Sequence, residues 1–111
     1  MESLVLARYP SGMSLTSEDI LEALRVVEDP ELGMDVVDLG LVYEVKVEGD
    51  AVAVIYSLTS MGCPAGAQIE QDIKDVVASM EGVNEVTTEL TFTPPWTPDK
   101  MSDDAKFVLG F

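Results

Sequence analysis

From Ser17 to Glu28 the apolar residues Ile20, Leu21, Leu24 and Val27 recur three or four positions apart, the spacing that lines one face of a helix. Thr16, followed by Asp19, has the form of a capping box, and Asp29-Pro30 stops the pattern. A first helix is therefore predicted over about Ser17 to Glu28. The segment from Asp29 to Asp35 mixes proline, glycine and acids and reads as an irregular loop. From Leu41 the period shortens to two. Gly49-Asp50 is a two-residue hairpin signal, and counting outward from it pairs Val47 with Val52, Val45 with Val54, Tyr43 with Tyr56 and Leu41 with Leu58 on one face. The other face carries Glu44, Lys46, Glu48 and Ala53. A second helical stripe, Ile69, Ile73, Val76, Val77 and Met80 with Gly82 just beyond, predicts a helix over about Pro64 to Glu81. Val86, Thr88, Leu90 and Phe92 then alternate with polar residues, predicting a third strand that ends at Pro94-Pro95. Ser102 to Lys106 reads as a cap and a short final helix.

The order is α-β-β-α-β with a short C-terminal helix, so the fold class is α+β. The simplest arrangement is a two-layer sandwich with the helices on one face of a small three-stranded sheet. The helical crossover makes the third strand parallel to the second, while the pattern leaves open which strand it adjoins. At 111 residues the chain has the size of one domain. The patterned part is read as a domain over residues 14–111, preceded by an N-terminal extension over residues 1–13.

Composition narrows the class of partner. Six basic against 21 acidic residues leave a formal net charge of -15, which repels phosphate backbones and anionic membrane surfaces. Nucleic acid and membranes are thus not expected partners. A basic protein or a cation would be attracted; the plainer reading is a well-solvated surface. No apolar run approaches the roughly 18 residues of a membrane span, and Met1 to Arg8 lacks the character of a signal peptide, so a cytoplasmic location is expected. A single cysteine can form no internal disulfide, in keeping with a reducing compartment.

That cysteine lies in Thr59-Ser60-Met61-Gly62-Cys63-Pro64, between a predicted strand and a predicted helix. With Pro64 at the first helical position, Cys63 becomes the N-cap, where free amides and the helix dipole favour a thiolate, the form needed in a nucleophile or metal ligand. The competing reading is a small buried hydrophobe. The chain has no histidine, so a Cys-His dyad is impossible, and so is a self-contained zinc site of nitrogen and sulfur ligands. Asp29, Glu31, Asp35 and Asp38 cluster before the hairpin, but their spacing does not match a calcium loop, and solvated loop acids are the plain interpretation. Asp38 differs: flanked by apolar residues at a strand entry, it is expected to be partly buried and hydrogen-bonded. The hairpin register carries Thr59 toward Gly40, so Asp38, Thr59 and Cys63 are expected at one end of the sheet. Trp96, in the proline-bounded Pro94-Pro95-Trp96-Thr97-Pro98, either offers a contact to another protein or covers the edge of the core.

Taken together, Asp29-Pro30-Glu31, Val37-Asp38-Leu39-Gly40-Leu41-Val42, Leu58-Thr59-Ser60-Met61-Gly62-Cys63-Pro64, and Trp96 with Met101-Ser102 resemble a known family. It is the SufT/PaaD-like family, a domain shared with eukaryotic cytosolic iron-sulfur targeting factors within the iron-sulfur cluster assembly domain superfamily. The resemblance runs from about Leu15 to the C-terminus. It implies an α-β-β-α-β fold and a non-enzymatic role in iron-sulfur protein maturation. It also implies a reactive cysteine at Cys63, as metal ligand, with the family's acidic and threonine positions on Glu31, Asp38 and Thr59. A [2Fe-2S] cluster usually takes four protein ligands, and this chain supplies one sulfur. An iron-sulfur cluster would thus be held transiently, with ligation shared by a second protomer, a partner's cysteines or small thiols. The expected function is a transient cluster carrier or targeting adaptor, with iron-sulfur assembly proteins, apo client proteins or a homodimer mate as partners. The alternative is a non-catalytic, PaaD-like accessory subunit of a phenylacetyl-CoA oxygenase pathway, recognised through the acidic surface and Trp96. A one-cysteine redox enzyme would lack both a nearby base and a resolving cysteine.

Overall fold

Thr16 caps the first helix as its spacing predicts. The Asp19 N–H donates to Thr16 Oγ1 at 3.2 Å, and the Thr16 N–H donates to Asp19 Oδ2 at 3.0 Å, closing the capping box. The computed structural model describes residues 15–60 and 62–111, so the N-terminal extension expected over residues 1–13 lies outside the described residues. Helix α1 spans Ser17–Ala23 and tightens into a 3-10 turn, Leu24–Val26, ending short of the predicted Glu28. The residue before a proline is pushed toward extended backbone, which keeps Asp29 out of the helix; the chain leaves it earlier still, at Val27, with φ -90 and ψ 121, as Glu28 enters a strand pairing with Asp35.

The expected loop from Asp29 to Asp35 is instead a small hairpin: β1, Glu28–Asp29, pairs antiparallel with β2, Met34–Asp35. The Leu32 and Gly33 N–H groups both donate to the Asp29 carbonyl, at 3.2 and 2.7 Å, closing the tip. Two-residue strands have too short a pattern to show a period, so the element is not visible in the hydrophobic sequence.

The main sheet contains β3, Val42–Glu48, β4, Ala51–Tyr56, and β5, Glu85–Leu90, in the order β3-β4-β5. The β3-β4 pair is antiparallel around Gly49-Asp50, with Val47 opposite Val52 and Val45 opposite Val54 as expected. The third strand lies beside the second and parallel to it, from Ala51 opposite Glu85 to Tyr56 opposite Leu90. Beyond Glu44 the expected register fails. Val42, not Tyr43, pairs with Tyr56, and Tyr43 is the extra residue of a bulge. The Ser57 N–H consequently donates to the Leu41 carbonyl at 2.8 Å, where Leu58 is the predicted partner. Tyr43 takes a different anchor: its hydroxyl donates to the Pro94 carbonyl at 2.8 Å.

Helix α2, Gly66–Ala78, buries Ile69, Ile73 and Val77 against the sheet, and Thr88 Oγ1 donates to Glu70 Oε2 at 3.0 Å to join α2 to β5. One core collects Ile20 and Leu24 from the first helical segment, Val52, Val54 and Tyr56 from β4, the α2 residues, and Val36, Leu39 and Leu41 from the approach to β3. Glu44, Lys46 and Glu48 are exposed on the opposite face, which completes a two-layer α+β sandwich.

After β5 the chain returns along the β3 entry. A 3-10 turn, Pro98–Lys100, leads to buried Met101 and to helix α3, Asp103–Leu109, whose N-cap Ser102 accepts the Ala105 N–H at 3.1 Å. Gly40, at φ 77, permits this approach: a Cβ there would collide with the Lys100 carbonyl group. Gly49 shares the left-handed backbone, at φ 62, but has nothing within 4 Å of an added Cβ. Gly49→Ala should therefore cost about 1 kcal/mol, for backbone conformation alone, whereas Gly40→Ala should cost roughly 3 kcal/mol because a main-chain contact must also shift. Thermal unfolding followed by circular dichroism compares the two; equal losses would refute a tight seat for the C-terminal segment on Gly40.

Candidate functional site

The chain leaves β4 through buried Ser57 and Leu58, then turns at half-buried Thr59 and exposed Ser60. The Cys63 N–H donates to the Ser60 carbonyl at 3.3 Å, and the Gly66 N–H donates to the Cys63 carbonyl at 3.2 Å. Residues 63–66 thus form a turn. Ala65, with φ -88 and ψ 2, has the dihedrals of the third residue of a type I turn, and Pro64 occupies the second, which its fixed φ suits. The helix N-cap is Ala65, not Cys63, and Pro64 lies ahead of the helix instead of at its first position. Proline's fixed φ serves a turn and a first helical residue equally well, so the spacing alone does not distinguish them. Gly66 lets the helix start close against the sheet, since a Cβ there would stand 2.9 Å from Leu58 Cδ1.

Cys63 is therefore half-buried in the turn that precedes α2, packed against the edge of the core and free of any disulfide. It is neither sealed among aliphatic side chains nor fully in solvent. No side chain of the described residues caps the amides that open α2, so the N-terminal end of that helix keeps its positive polarity next to the turn. Among the described residues, no group of three or more Cys, Asp and Glu side chains is arranged to hold a metal ion.

The acids divide into distinct environments. Glu31 is exposed, which fits the solvated reading. Asp29 does not: it is fully buried, its Oδ1 accepts the Glu31 N–H at 2.8 Å, and its Oδ2 has no hydrogen-bond partner among the described residues. Sequence reasoning treats Asp29 as one loop acid among four. The available signal is Asp-Pro with an amide two residues on, the pattern of an Asx turn, which draws an aspartate onto its own backbone.

Asp38 is half-buried and hydrogen-bonded, as its apolar neighbours suggest. Arg25 Nη1 donates to Asp38 Oδ1 at 3.0 Å, the Asp38 N–H donates to Asp35 Oδ2 at 2.9 Å, and the Asp38 carbonyl accepts the Ser102 N–H at 2.8 Å. Three segments therefore meet at one residue. Burial alone would raise the Asp38 pKa, but hydrogen bonds from Asp35 and Arg25 and the Arg25 charge hold it below the ordinary carboxylate value. Burial, reinforced by the adjacent Asp38 carboxylate, holds Asp35 above that value although the Asp38 amide opposes the shift.

The Leu41-Ser57 hydrogen bond lays the approach to β3 alongside the exit from β4, so the segments bearing Asp38 and Thr59 adjoin one end of the sheet. Trp96 closes the same end. Its Nε1-H donates to the Leu39 carbonyl at 2.7 Å and its half-buried ring packs on the core, so it covers the core edge instead of standing free.

Comparison with known proteins agrees with this architecture. A family model described as iron-sulfur cluster assembly protein matches residues 17–88. The chain is 45% identical over 94 residues to the Fe-S protein maturation auxiliary factor YitW of Bacillus subtilis, covering 84% of this chain and 92% of that one. It is 46% identical over 86 residues to the Fe-S protein maturation auxiliary factor SufT of Staphylococcus aureus, covering 77% of this chain and 98% of that one. The crystal structure of a domain of unknown function from Bacillus anthracis superposes with a TM-score of 0.81 at 40% identity, covering 85% of this chain and 91% of that one. A more distant relative, one of the subunits of a putative 1,2-phenylacetyl-CoA epoxidase of Escherichia coli, is 30% identical over 89 residues, covering 79% of this chain and 53% of that one.

The aspartate pair makes stability depend on pH in two opposed ways. With its pKa depressed, Asp38 contributes stability above the ordinary carboxylate range that is lost as pH falls through its lowered value. With its pKa raised, Asp35 contributes stability in acid that is lost as pH rises through its raised value. Asp35→Asn keeps an acceptor for the Asp38 amide and should raise the melting temperature at pH 7 but not at pH 3.5. Asp38→Asn should cost about 1–2 kcal/mol at pH 7 and less in acid. Melting curves of both variants at the two pH values check this, and differences independent of pH would contradict it.

Proposed function

The chain belongs to the iron-sulfur cluster assembly protein family, and we propose that it is a maturation factor that carries or targets an iron-sulfur cluster, with Cys63 as its ligand. The cluster is cargo in this reading, not a resident cofactor. The observation that carries it is the half-buried thiol in the turn before α2, the chain's only sulfur able to coordinate as thiolate.

A cluster takes about four ligands. One comes from Cys63 and the others from outside: a second protomer, the cysteines of an assembly protein or apo client, or small thiols. Incomplete ligation by this chain means that its hold on the cargo is weak compared with that of a client supplying several thiolates, so transfer runs toward the client. Glu31, Asp38 and Thr59 belong to the same proposed site. Asp38 is a positioning residue in it, fixing the β3 approach through Arg25 and Ser102. The role is non-catalytic: with no histidine in the chain there is no imidazole to activate the thiol. A reducing cytoplasm suits a lone thiol that must stay reduced, and no helix of the described residues is long and apolar enough to cross a membrane. The accessory role in a phenylacetyl-CoA oxygenase pathway has weaker support, because the epoxidase relative is matched over only 53% of its length against 92% for YitW.

Anaerobic reconstitution with ferrous iron and sulfide tests the ligand. The wild-type chain should gain the visible charge-transfer absorption of a cluster, in an assembly whose mass shows the source of the remaining ligands. Cys63→Ser should gain none while its thermal unfolding changes by no more than about 1 kcal/mol. Equal iron and sulfide content in wild type and variant would overturn the assignment of Cys63.

A further inference from the structure

Helix α3 is apolar on both sides. Its inner side is occupied: Ala105 is fully buried and Leu109 packs on the core. The outer side should then be polar. Instead Phe107 is 89% exposed, Val108 66% and Phe111 65%, three of the five large hydrophobics exposed among the described residues. Asp104, Phe107 and Val108 stand at positions i, i+3 and i+4, one stripe along the helix, and Phe111 follows just beyond its end.

The stripe is held firmly. Gly110 ends α3 at φ 85, and the Gly110 and Phe111 N–H groups both donate to the Lys106 carbonyl at 2.9 Å, which folds Phe111 back against the helix end. At the other end, Ser102 caps the helix and its N–H donates to Asp38. The aromatic pair is thus presented by a fixed element at the β3 entry, alongside the strand exit that leads to Cys63.

Charge selects the occupant. The exposed parts of two phenylalanines and a valine amount to roughly 400 Å², so a contact through them buries on the order of 800 Å² in all, the size of a transient association. In a pair of copies each would bring a net charge of -15, and Asp103 and Asp104 sit in the first turn of this same helix. A second copy is therefore disfavoured by charge. An apolar groove bordered by Lys and Arg matches both the stripe and the carboxylates around it.

We propose that the outward face of α3, with Phe107, Val108 and Phe111 as anchors and Asp104 beside them, docks into a basic-rimmed apolar groove on a partner protein. The contact is independent of cluster ligation by Cys63.

The test places a photo-crosslinking benzoylphenylalanine at position 107 of the full chain in its source cells, with position 87, on the open face of the sheet, as control. The crosslinked protein is then purified and titrated with wild-type chain, Phe107→Ser and Cys63→Ser at low and high salt. The expected result is a crosslink from position 107 absent from position 87, and a Kd raised at least tenfold by Phe107→Ser and also by salt. Phe107→Ser should melt like wild type, and Cys63→Ser should bind like wild type. The proposal is overturned by a crosslink no stronger than at position 87, by a crosslink only to a second copy, or by a Kd insensitive to Phe107→Ser or to salt. Cluster uptake by Cys63→Ser equal to that of wild type, with docking intact, would overturn the ligand reading and leave the docking proposal standing.

Discussion

A single unpaired residue, Tyr43, governs how the Cys63 end of the sheet is assembled. Up to Glu44 the hairpin follows its turn, and one extra residue on β3 then brings Leu41 opposite Ser57. That step decides which segments become neighbours. The approach to β3, with Asp38 to Gly40, lies beside the strand exit that leads through Leu58 and Thr59 to Cys63. The displaced Tyr43 serves as a post for the returning chain, through Pro94 and through Lys100, whose Nζ lies 5.0 Å from its ring centroid. Bulges bend a strand and re-aim its side chains, and here the bend lets the C-terminal arm close over the sheet end.

What was legible in the sequence follows from the range of the interactions involved. Capping of α1 by Thr16 and the inner hairpin register are local, set by residues within a few positions, and both stand as read. The α2 stripe also stands, since its three buried residues are among those whose spacing marks it. The bulge was not legible, because alternation continues smoothly through Tyr43 and the contacts that accompany its departure, to Pro94 and Lys100, are long-range. The β1-β2 hairpin was hidden by its brevity. Burial of Asp29 was hidden because its acidic neighbours suggest solvent, whereas the Asx turn turns the side chain inward. The neighbour of β5 is a matter of topology, which periodicity does not encode.

The candidate site shows the same division. Cys63 stands out in the sequence as the one thiol, yet its placement in a turn ahead of α2, instead of at the helix cap, depends on how Pro64 is used. The chain around Cys63 is strongly acidic, with six basic residues against 21 acidic ones. The uncapped start of α2 is the local source of positive polarity. In the proposed role, an anionic, incompletely ligated cargo would be held in such surroundings by coordination more than by charge, which would suit delivery better than storage.

The indole of Trp96 joins the C-terminal arm to Leu39 at the core edge, and it is the chain's only tryptophan. Its fluorescence therefore reports one event, the seating of that arm. Were the arm to lift with the hairpin and α2 still folded, the ring would be exposed and its hydrogen bond to Leu39 broken. Emission would then shift to the red before far-ultraviolet dichroism changed, giving an optical measure of whether the end of the molecule beside Cys63 is open or closed.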